Sequence, residues 1–515
     1  MNAWVDLDLL QSISCGFETF DECECGSPDE CNYEPGTGHQ EMALPIWQAQ
    51  PLMSREKSWN PLHMPVSLYW QECAAGRWLV CDPEHWSATL AVLDEEALAL
   101  LRSFEQPARP LEVARAFPQV PTAALFGLLH WLVALGLLLP VERKPVQSVS
   151  SEQQSRARTL SAWLHVTNAC NLACQYCYVQ KSSEPMADAT ARQAVEAVFR
   201  SAQLHGYQAV HLKYAGGEPT LRLRQVLALH DYALTLGSQA QMKVTASLLT
   251  NGVALSEQAI AALKERRISV MLSLDGLGQQ HDLQRPFGNG RGSFAYVERA
   301  LNRLLAARWP PSVNVTVSRR NLAALPTLLE YLLERDLPFS LSYYREHNPA
   351  PGIDDLGFEE EEMIAGMRAA FAVIERRLPR RRLWKALLDR THPGLASPYA
   401  CGMGRHYLVI DQRGGVARCH AALTEQVATI AAEDPLEAVR LPSGGLRAVA
   451  VDEKEGCRTC RWRYWCAGGC PALTYHLTGR LDVRSPNCAI YKALFPDVLR
   501  LEALRVLKYG TALVF

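Results

Sequence analysis

No apolar run in this chain is long enough to cross a bilayer. The most apolar one, Leu125 to Leu139, has 15 residues and includes Gly127, His130 and Gly136, whereas a spanning helix needs about 20 apolar residues. It reads as a buried helix followed by a strand or turn. Excess charge is missing too: the net charge of −2 offers no attraction to nucleic acid or to an anionic membrane. The start lacks the basic, apolar and small-residue order of an export signal, so a cytoplasmic protein is expected. Residues 1–45 contain no Lys or Arg against ten Asp and Glu, which leaves the remainder with a net +8.

What is present is ample apolar material. With 48% hydrophobic residues in 515, two to four domains with sizeable cores are expected. Sixteen cysteines in a large chain of this kind read as metal ligands rather than as a disulfide framework.

Residues 1–60 are rich in Asp, Glu, Gly, Pro and Ser, carry Cys15, Cys23, Cys25 and Cys31, and have no helical or strand period. They read as a mobile acidic tail with free thiols; a small metal site and a flap over a basic groove are the alternatives. Residues 61–141 change character. Val66–Trp70 and Arg77–Cys81 are strand-like runs around a turn at Ala74-Ala75-Gly76, and a third run lies near Ala88 to Leu93. Asp94 can cap a helix with Leu98, Leu101 and Phe104 on one face. Helices around Leu111–Phe117 and Thr122–Leu135 complete a small winged-helix module. Because Thr122 to Leu139 holds no Lys or Arg, a peptide docked by strand addition is favoured over DNA.

Residues 142–160 are polar and rich in Ser and Gln, and read as a linker. From 161 to 378 strand and helix signals alternate about every thirty residues, the pattern of parallel βα units. The strands are WLHVT, AVHLKYA, KVTASLLT, ISVMLSL, VNVTVS and FSLSYY; Thr190–Leu204 and Leu322–Glu334 are among the helices. The predicted fold class is α/β, a partial (β/α)6 barrel of TIM type, in which functional loops follow the C-terminal ends of strands. Residues 379–400 read as a connector, entered through LPRRRLWK, whose arginines form a solvated face or dock an acidic segment. Residues 401–490 are a cysteine-rich domain, and 491–515 a helix packed back on the core.

The first strand runs into LHVTNACNLACQYCY, which spaces Cys170, Cys174 and Cys177 as C-x3-C-x2-C. Three thiolates on one tight loop can ligate three irons of a [4Fe–4S] cube and leave the fourth open. A closed zinc site takes four ligands, usually as paired C-x2-C units. The loop resembles that of the radical S-adenosylmethionine (SAM) enzymes. The resemblance implies that the open iron chelates SAM, and that one electron from a reductant such as flavodoxin or ferredoxin yields a 5′-deoxyadenosyl radical that abstracts hydrogen. Gly216, Gly217, Glu218 and Pro219, after strand two, resemble the family's GGEP element. This implies a contact with the methionine amino group, the glycines allowing close approach and the carboxylate suiting an ammonium. It implies likewise that Tyr176 contacts adenine and Ser273 ribose. Thr250 and Asn251 end strand three, Asp275 ends strand four, and Arg285 in the segment His281–Phe287 flanks the same pocket. Capping of the strand ends accounts for these residues equally well.

Further on, Cys401 and Cys419 precede Cys457-x2-Cys460-x5-Cys466-x3-Cys470, and Cys488 closes the set. With Gly414 five residues before Cys419, this resembles the seven-cysteine SPASM domain. The resemblance implies two auxiliary [4Fe–4S] clusters, three clusters in all. Cys401, Cys419 and Cys470 would hold the first, one cysteine short, and Cys457, Cys460, Cys466 and Cys488 the second; structural zinc is the alternative. Anaerobic sulfatase maturases share the layout but have a further cysteine before the position of Cys401 and an aspartate after that of Cys419. Here HPGLASPYA has no cysteine and His420, itself a possible base, stands in the second place. The element order of residues 61–141 and the sequence VLDEEALALLRSF resemble a PqqD-like leader-binding domain. Together these imply a maturase of ribosomally made peptides, whose partner is a precursor peptide with a leader and whose product is a crosslink or related modification. Tyr343, Tyr344 and Arg345 end strand six and either line the peptide channel or pack in the core. A sulfatase-type maturase oxidising Cys or Ser, and an iron–sulfur carrier or zinc-held binding module, are the other readings.

Overall fold

The computed structural model describes residues 1–5, 60–85, 90–141, 159–346, 355–442 and 444–514. Near the start, β1 (Asn2–Val5), β2 (Tyr69–Ala74), β3 (Arg77–Cys81) and β4 (Ala91–Asp94) are followed by α1 (Glu95–Arg102), α2 (Pro110–Ala114) and α3 (Thr122–Ala134). The Asp94 carboxylate accepts the Ala97 N–H at 2.9 Å, the capping bond that ends the strand and starts the helix. The strand expected from Val66 begins only at Tyr69. Pro65 sets a turn there, with the Leu68 N–H donating to its carbonyl at 3.1 Å.

The N-terminal expectation needs correction at its outermost residues. Asn2–Val5 pairs antiparallel with β4, Ala3 and Val5 are fully buried, and the Asn2 N–H donates to Asp94 at 2.6 Å. The rest of the expected tail, with Cys15, Cys23, Cys25 and Cys31, lies outside the described residues. A final strand β14, Thr511–Val514, pairs with the other side of β1. The sheet order is therefore β14-β1-β4-β3-β2, five strands instead of three, closed by the two ends of the chain.

The barrel strands are β5 (Thr159–His165), β6 (Ala209–Ala215), β7 (Lys243–Thr250), β8 (Ile268–Ser273), β9 (Ser312–Val317) and β10 (Phe339–Tyr343). All are parallel to their neighbours. Helices α4 (Asp188–Leu204), α5 (Leu223–Ala240), α6 (Glu257–Glu265), α7 (Phe294–Ala306) and α8 (Leu325–Glu334) intervene, giving the partial (β/α)6 barrel. β5 starts four residues earlier than expected, inside the presumed linker: Thr159 pairs with Ala209, and all seven residues of the strand are buried. Among the described residues, the cysteine-rich region joins its strands to the barrel sheet. Its β11 (Tyr407–Ile410) lies parallel to β5, and β12 (Gly415–Ala417) and β13 (Gln426–Thr429) extend the same sheet antiparallel.

Two long helices complete the body, α9 (Glu360–Arg376) and α10 (Cys488–Tyr509). The second begins three residues before the expected start and, instead of continuing to the end of the chain, gives way to β14. One buried cluster joins Leu79 and Val92 of the first sheet, Val313 and Val315 of the barrel, and Leu494 and Val498 of α10. Burying such a side chain contributes about 1.5–3 kcal/mol, so this shared core fastens the N-terminal sheet to the barrel. In the connector, Arg381 pairs with Asp336 at 2.7 Å and Arg380 lies over the Tyr509 ring, so these two arginines have partners within the chain. No helix among the described residues is long and apolar enough to cross a membrane.

Candidate functional site

Each barrel strand ends on one side of the sheet, and the motif residues collect there. The cysteine loop leaving β5 is pinned by its backbone: Ala173 N–H donates to the Pro286 carbonyl at 2.7 Å and Gln175 N–H to that of Gln284 at 3.3 Å. Leu172, 1% exposed, anchors it. The thiols of Cys170, Cys174 and Cys177 stand within electrostatic reach of one another. Burial pushes the Cys174 thiol up to about 12, against an opposing pull from Arg285.

The turn after β6 packs on this loop. Gly217 N–H donates to the Thr167 carbonyl at 2.7 Å and Glu218 N–H to that of Ala169 at 2.8 Å. A Cβ on Gly217 would fall 2.3 Å from the Ala169 oxygen, and one on Gly216 2.4 Å from that of Thr167. The glycines are thus required by the cysteine loop itself. Glu218, 1% exposed, accepts four hydrogen bonds: from Thr220 N–H (3.0 Å), Thr220 Oγ1 (2.6 Å), Thr250 Oγ1 (2.7 Å) and Asn251 N–H (2.8 Å). A carboxylate has about four acceptor positions. Three of these bonds reach Oε1 and one reaches Oε2, so Glu218 straps the ends of β6 and β7 together while Oε2 keeps an acceptor position, with Pro219 buried beside it. Burial raises its pKa in spite of these donors. Asn251 carries the link onward, donating to Asn171 Oδ1 at 2.8 Å and lying 3.8 Å from Cys170 Sγ.

Asp275, after β8, is the second buried hub. It accepts from Tyr176 OH (2.5 Å), Arg285 Nε (2.6 Å) and Thr316 N–H (2.8 Å). Asn321 holds its carbonyl at 2.7 Å. Arg285 lies over the Tyr176 ring and its Nη1 is 3.9 Å from Cys174 Sγ. Burial pulls the guanidinium down, but Asp275, Tyr176 and Cys174 together lift its pKa above the ordinary value. His281 contacts the Asp275 N–H through Nδ1 and Ser293 through Nε2. Ser273 is half-buried at the end of β8. Tyr176, Asp275, Arg285, Thr250, Asn251 and the glycine turn are thus one hydrogen-bonded floor around the cysteine loop.

The seven C-terminal cysteines separate into two neighbourhoods. Cys419 interacts with Cys470 and Cys401; Cys466 interacts with Cys488, Cys457 and Cys460. Burial pushes the thiols of Cys419 and Cys466 up to about 12. Gly414, at φ +86°, turns the β11–β12 hairpin that presents Cys419; there Asp411 Oδ1 accepts the N–H groups of Arg413 and Gly415 at 2.9 and 2.7 Å. Cys488 sits at the start of α10. Among the described residues, all twelve cysteines are thiols, and no three have their sulfurs within 4.8 Å of one another. Thiolates around one zinc lie about 3.8 Å apart, given Zn–S near 2.3 Å. The all-sulfur donor sets fit iron–sulfur clusters.

Charged side chains with no spacing signal in the sequence meet these thiols. Arg345 donates from Nε to Cys470 Sγ at 3.3 Å and from Nη2 to Asp389 at 2.5 Å. Burial lowers its pKa, but Asp389 and Cys470 more than offset this and raise it. Arg390, with a left-handed φ of +54°, interacts with Cys401 and Cys470. Lys454, 2% exposed, feels thiols of both neighbourhoods. Of the two readings for the end of β10, packing in the core describes Tyr343, which stacks on Tyr491, and Tyr344, which is buried, while Arg345 turns to Cys470. His420 stacks on Trp163 at 4.5 Å, shares a 3.2 Å hydrogen bond with Tyr407 and stands 5.9 Å from Tyr178. Tyr178 interacts with both Cys177 and Cys419, so His420 and Tyr178 lie where the first two thiol groups approach each other.

Residues 164–323 match the family model described as the Radical SAM superfamily. The mycofactocin maturase MftC of Mycobacterium ulcerans is 26% identical over 330 residues, 63% of this chain and 86% of the relative. The serine-type anaerobic sulfatase-maturating enzyme of Klebsiella aerogenes is 25% identical over 361 residues, 64% and 83% of the two chains. Among solved structures, native anSMEcpe with bound AdoMet and Cp18Cys peptide superposes with a TM-score of 0.53 at 21% identity, covering 67% of this chain and 98% of that one.

Proposed function

From a radical SAM domain at residues 164–323, we propose that this chain modifies a ribosomally made precursor peptide, taking hydrogen from a side chain or α-carbon so that a crosslink forms. The observation that carries this reading is that the three thiol groups share neighbours: Tyr178 interacts with Cys177 and Cys419, and Lys454 with Cys401 and Cys470 as well as Cys457 and Cys466. When bound, a [4Fe–4S] cluster with SAM supplies a 5′-deoxyadenosyl radical, and two auxiliary clusters supply or accept an electron.

The chain's own residues hold, orient and seal. Cys170, Cys174 and Cys177 would hold the first cluster, Cys401, Cys419 and Cys470 the second, and Cys457, Cys460, Cys466 and Cys488 the third. Glu218 fixes the glycine turn and Asn251 against the cysteine loop, and its Oε2, which accepts only the Asn251 N–H, would meet the amino group of SAM. Asp275 keeps Tyr176 and Arg285 in place beside Cys174. Buried networks of this kind exclude water and keep catalytic geometry without reorganisation. The N-terminal module would hold a leader segment at an outer strand of its sheet, and a flavodoxin or ferredoxin would deliver electrons.

Oxidation of a Cys or Ser in a protein is a second reading, in which His420, 5.9 Å from Tyr178, would take the proton in place of the aspartate of sulfatase maturases. Co-expression with the small peptides encoded beside the gene, followed by mass spectrometry, separates the two. A peptide lacking two hydrogens, with fragmentation blocked across the joined residues, supports the first. A product trapped by hydrazide as an aldehyde supports the second. An unmodified set of peptides counts against the first.

A further inference from the structure

The environment of the first auxiliary site is unlike an ordinary thiol pocket. Among the described residues, three cysteines, Cys401, Cys419 and Cys470, interact there. A guanidinium is aimed at one of the sulfurs, with Arg345 Nε 3.3 Å from Cys470 Sγ. Its direction is set from behind by Asp389, 2.5 Å from Nη2 and 4% exposed. The next residue, Arg390, brings a second guanidinium toward Cys401 and Cys470 from a left-handed backbone, φ +54°. Such a conformation is unfavourable for a residue with a side chain and is kept only where the surroundings demand it.

Reduction adds a negative charge to a cluster that thiolates have already made anionic. An N–H donated to a ligating sulfur and a nearby cation both stabilise the reduced form more than the oxidised one, which raises the potential. A guanidinium is suited to this because it stays charged and can donate in two directions at once. In Arg345 one direction is used by Asp389 and the other by the sulfur. Arg285, held by Asp275 at 2.6 Å, has its Nη1 3.9 Å from Cys174 Sγ, a looser version of the same arrangement at the SAM loop.

Resting on the proposed assignment of Cys401, Cys419 and Cys470 to an auxiliary cluster, we propose that Arg345, positioned by Asp389 and seconded by Arg390, sets the reduction potential of that cluster above the value its three thiolates alone would give.

The test is a potentiometric titration followed by electron paramagnetic resonance on the full-length reconstituted chain. The wave of the first auxiliary site is identified as the one lost in Cys419→Ala. In Arg345→Met that wave moves to lower potential while the other two stay; in Arg345→Lys and in Arg390→Met it moves in the same direction by less. An unmoved wave in Arg345→Met, or equal movement of all three, overturns the inference. If Arg345→Met does not fold, Arg345→Lys and Arg390→Met decide, and no shift in either overturns it. Wild-type protein that binds the iron of one cluster alone refutes the assignment beneath it; three clusters with an unmoved wave refutes the tuning.

Discussion

Arg285 Nε lies 2.6 Å from Asp275 Oδ2, and the two side chains are 9% and 0% exposed. A charge pair this deeply buried pays heavily for desolvation unless its remaining positions are satisfied, and here Tyr176 OH and the Thr316 N–H complete the carboxylate. The pair therefore acts as a joint between the cysteine loop and the ends of β8 and β9. Asp275→Asn leaves the guanidinium buried without its counter-charge. The expected loss is about 3–5 kcal/mol of unfolding free energy, measured by urea titration; a loss under about 1 kcal/mol contradicts the role.

Glu218→Gln places an amide N–H₂ where donors already point. Since each unsatisfied buried polar group costs about 1–3 kcal/mol, a destabilisation near 2 kcal/mol is expected, with weaker SAM binding because the glycine turn and Asn251 loosen. Equilibrium dialysis and urea unfolding check the two effects. If Glu218 instead only pairs with an ammonium, binding falls while stability is unchanged.

Burial, with a further contribution from the Arg285 charge, holds the His281 imidazole down to about 4. Its ordinary value is about 6.5. The unfolded chain takes up the proton near 6.5 and the folded chain only near 4. The neutral imidazole's contribution to stability is therefore complete above about pH 6.5 and is lost as the pH falls toward 4. The difference corresponds to about 3 kcal/mol. His281→Gln should flatten the decline in unfolding free energy between pH 7 and pH 4.5; an equally steep decline in the variant rules this histidine out as its source.

The barrel was legible because its parallel strands are covered on both faces and so read as nearly continuous apolar runs. Thr159 and Leu160 escaped: the polar stretch before them resembles a linker, and only pairing with Ala209 and Val210 makes them strand. The five-stranded sheet was invisible for a different reason. Asn2–Val5 and Thr511–Val514 are short, and their partnership spans the whole chain. Cysteine spacing exposed the thiol groups, since ligation imposes close intervals. No interval marks Asp389, Arg390 or Lys454, which gain meaning only when the fold brings them to cysteines far away in sequence. The acceptor count on Glu218 was likewise inaccessible, because its donors come from two loops.

The central claim is that Cys170, Cys174 and Cys177 support radical SAM chemistry. Chromatographic measurement of 5′-deoxyadenosine after anaerobic reconstitution with iron, sulfide, dithionite and SAM tests it most directly. The wild-type chain is expected to release 5′-deoxyadenosine and Cys174→Ala none, at unchanged protein concentration; equal release from both, or none from a wild-type chain loaded with iron, would contradict the account.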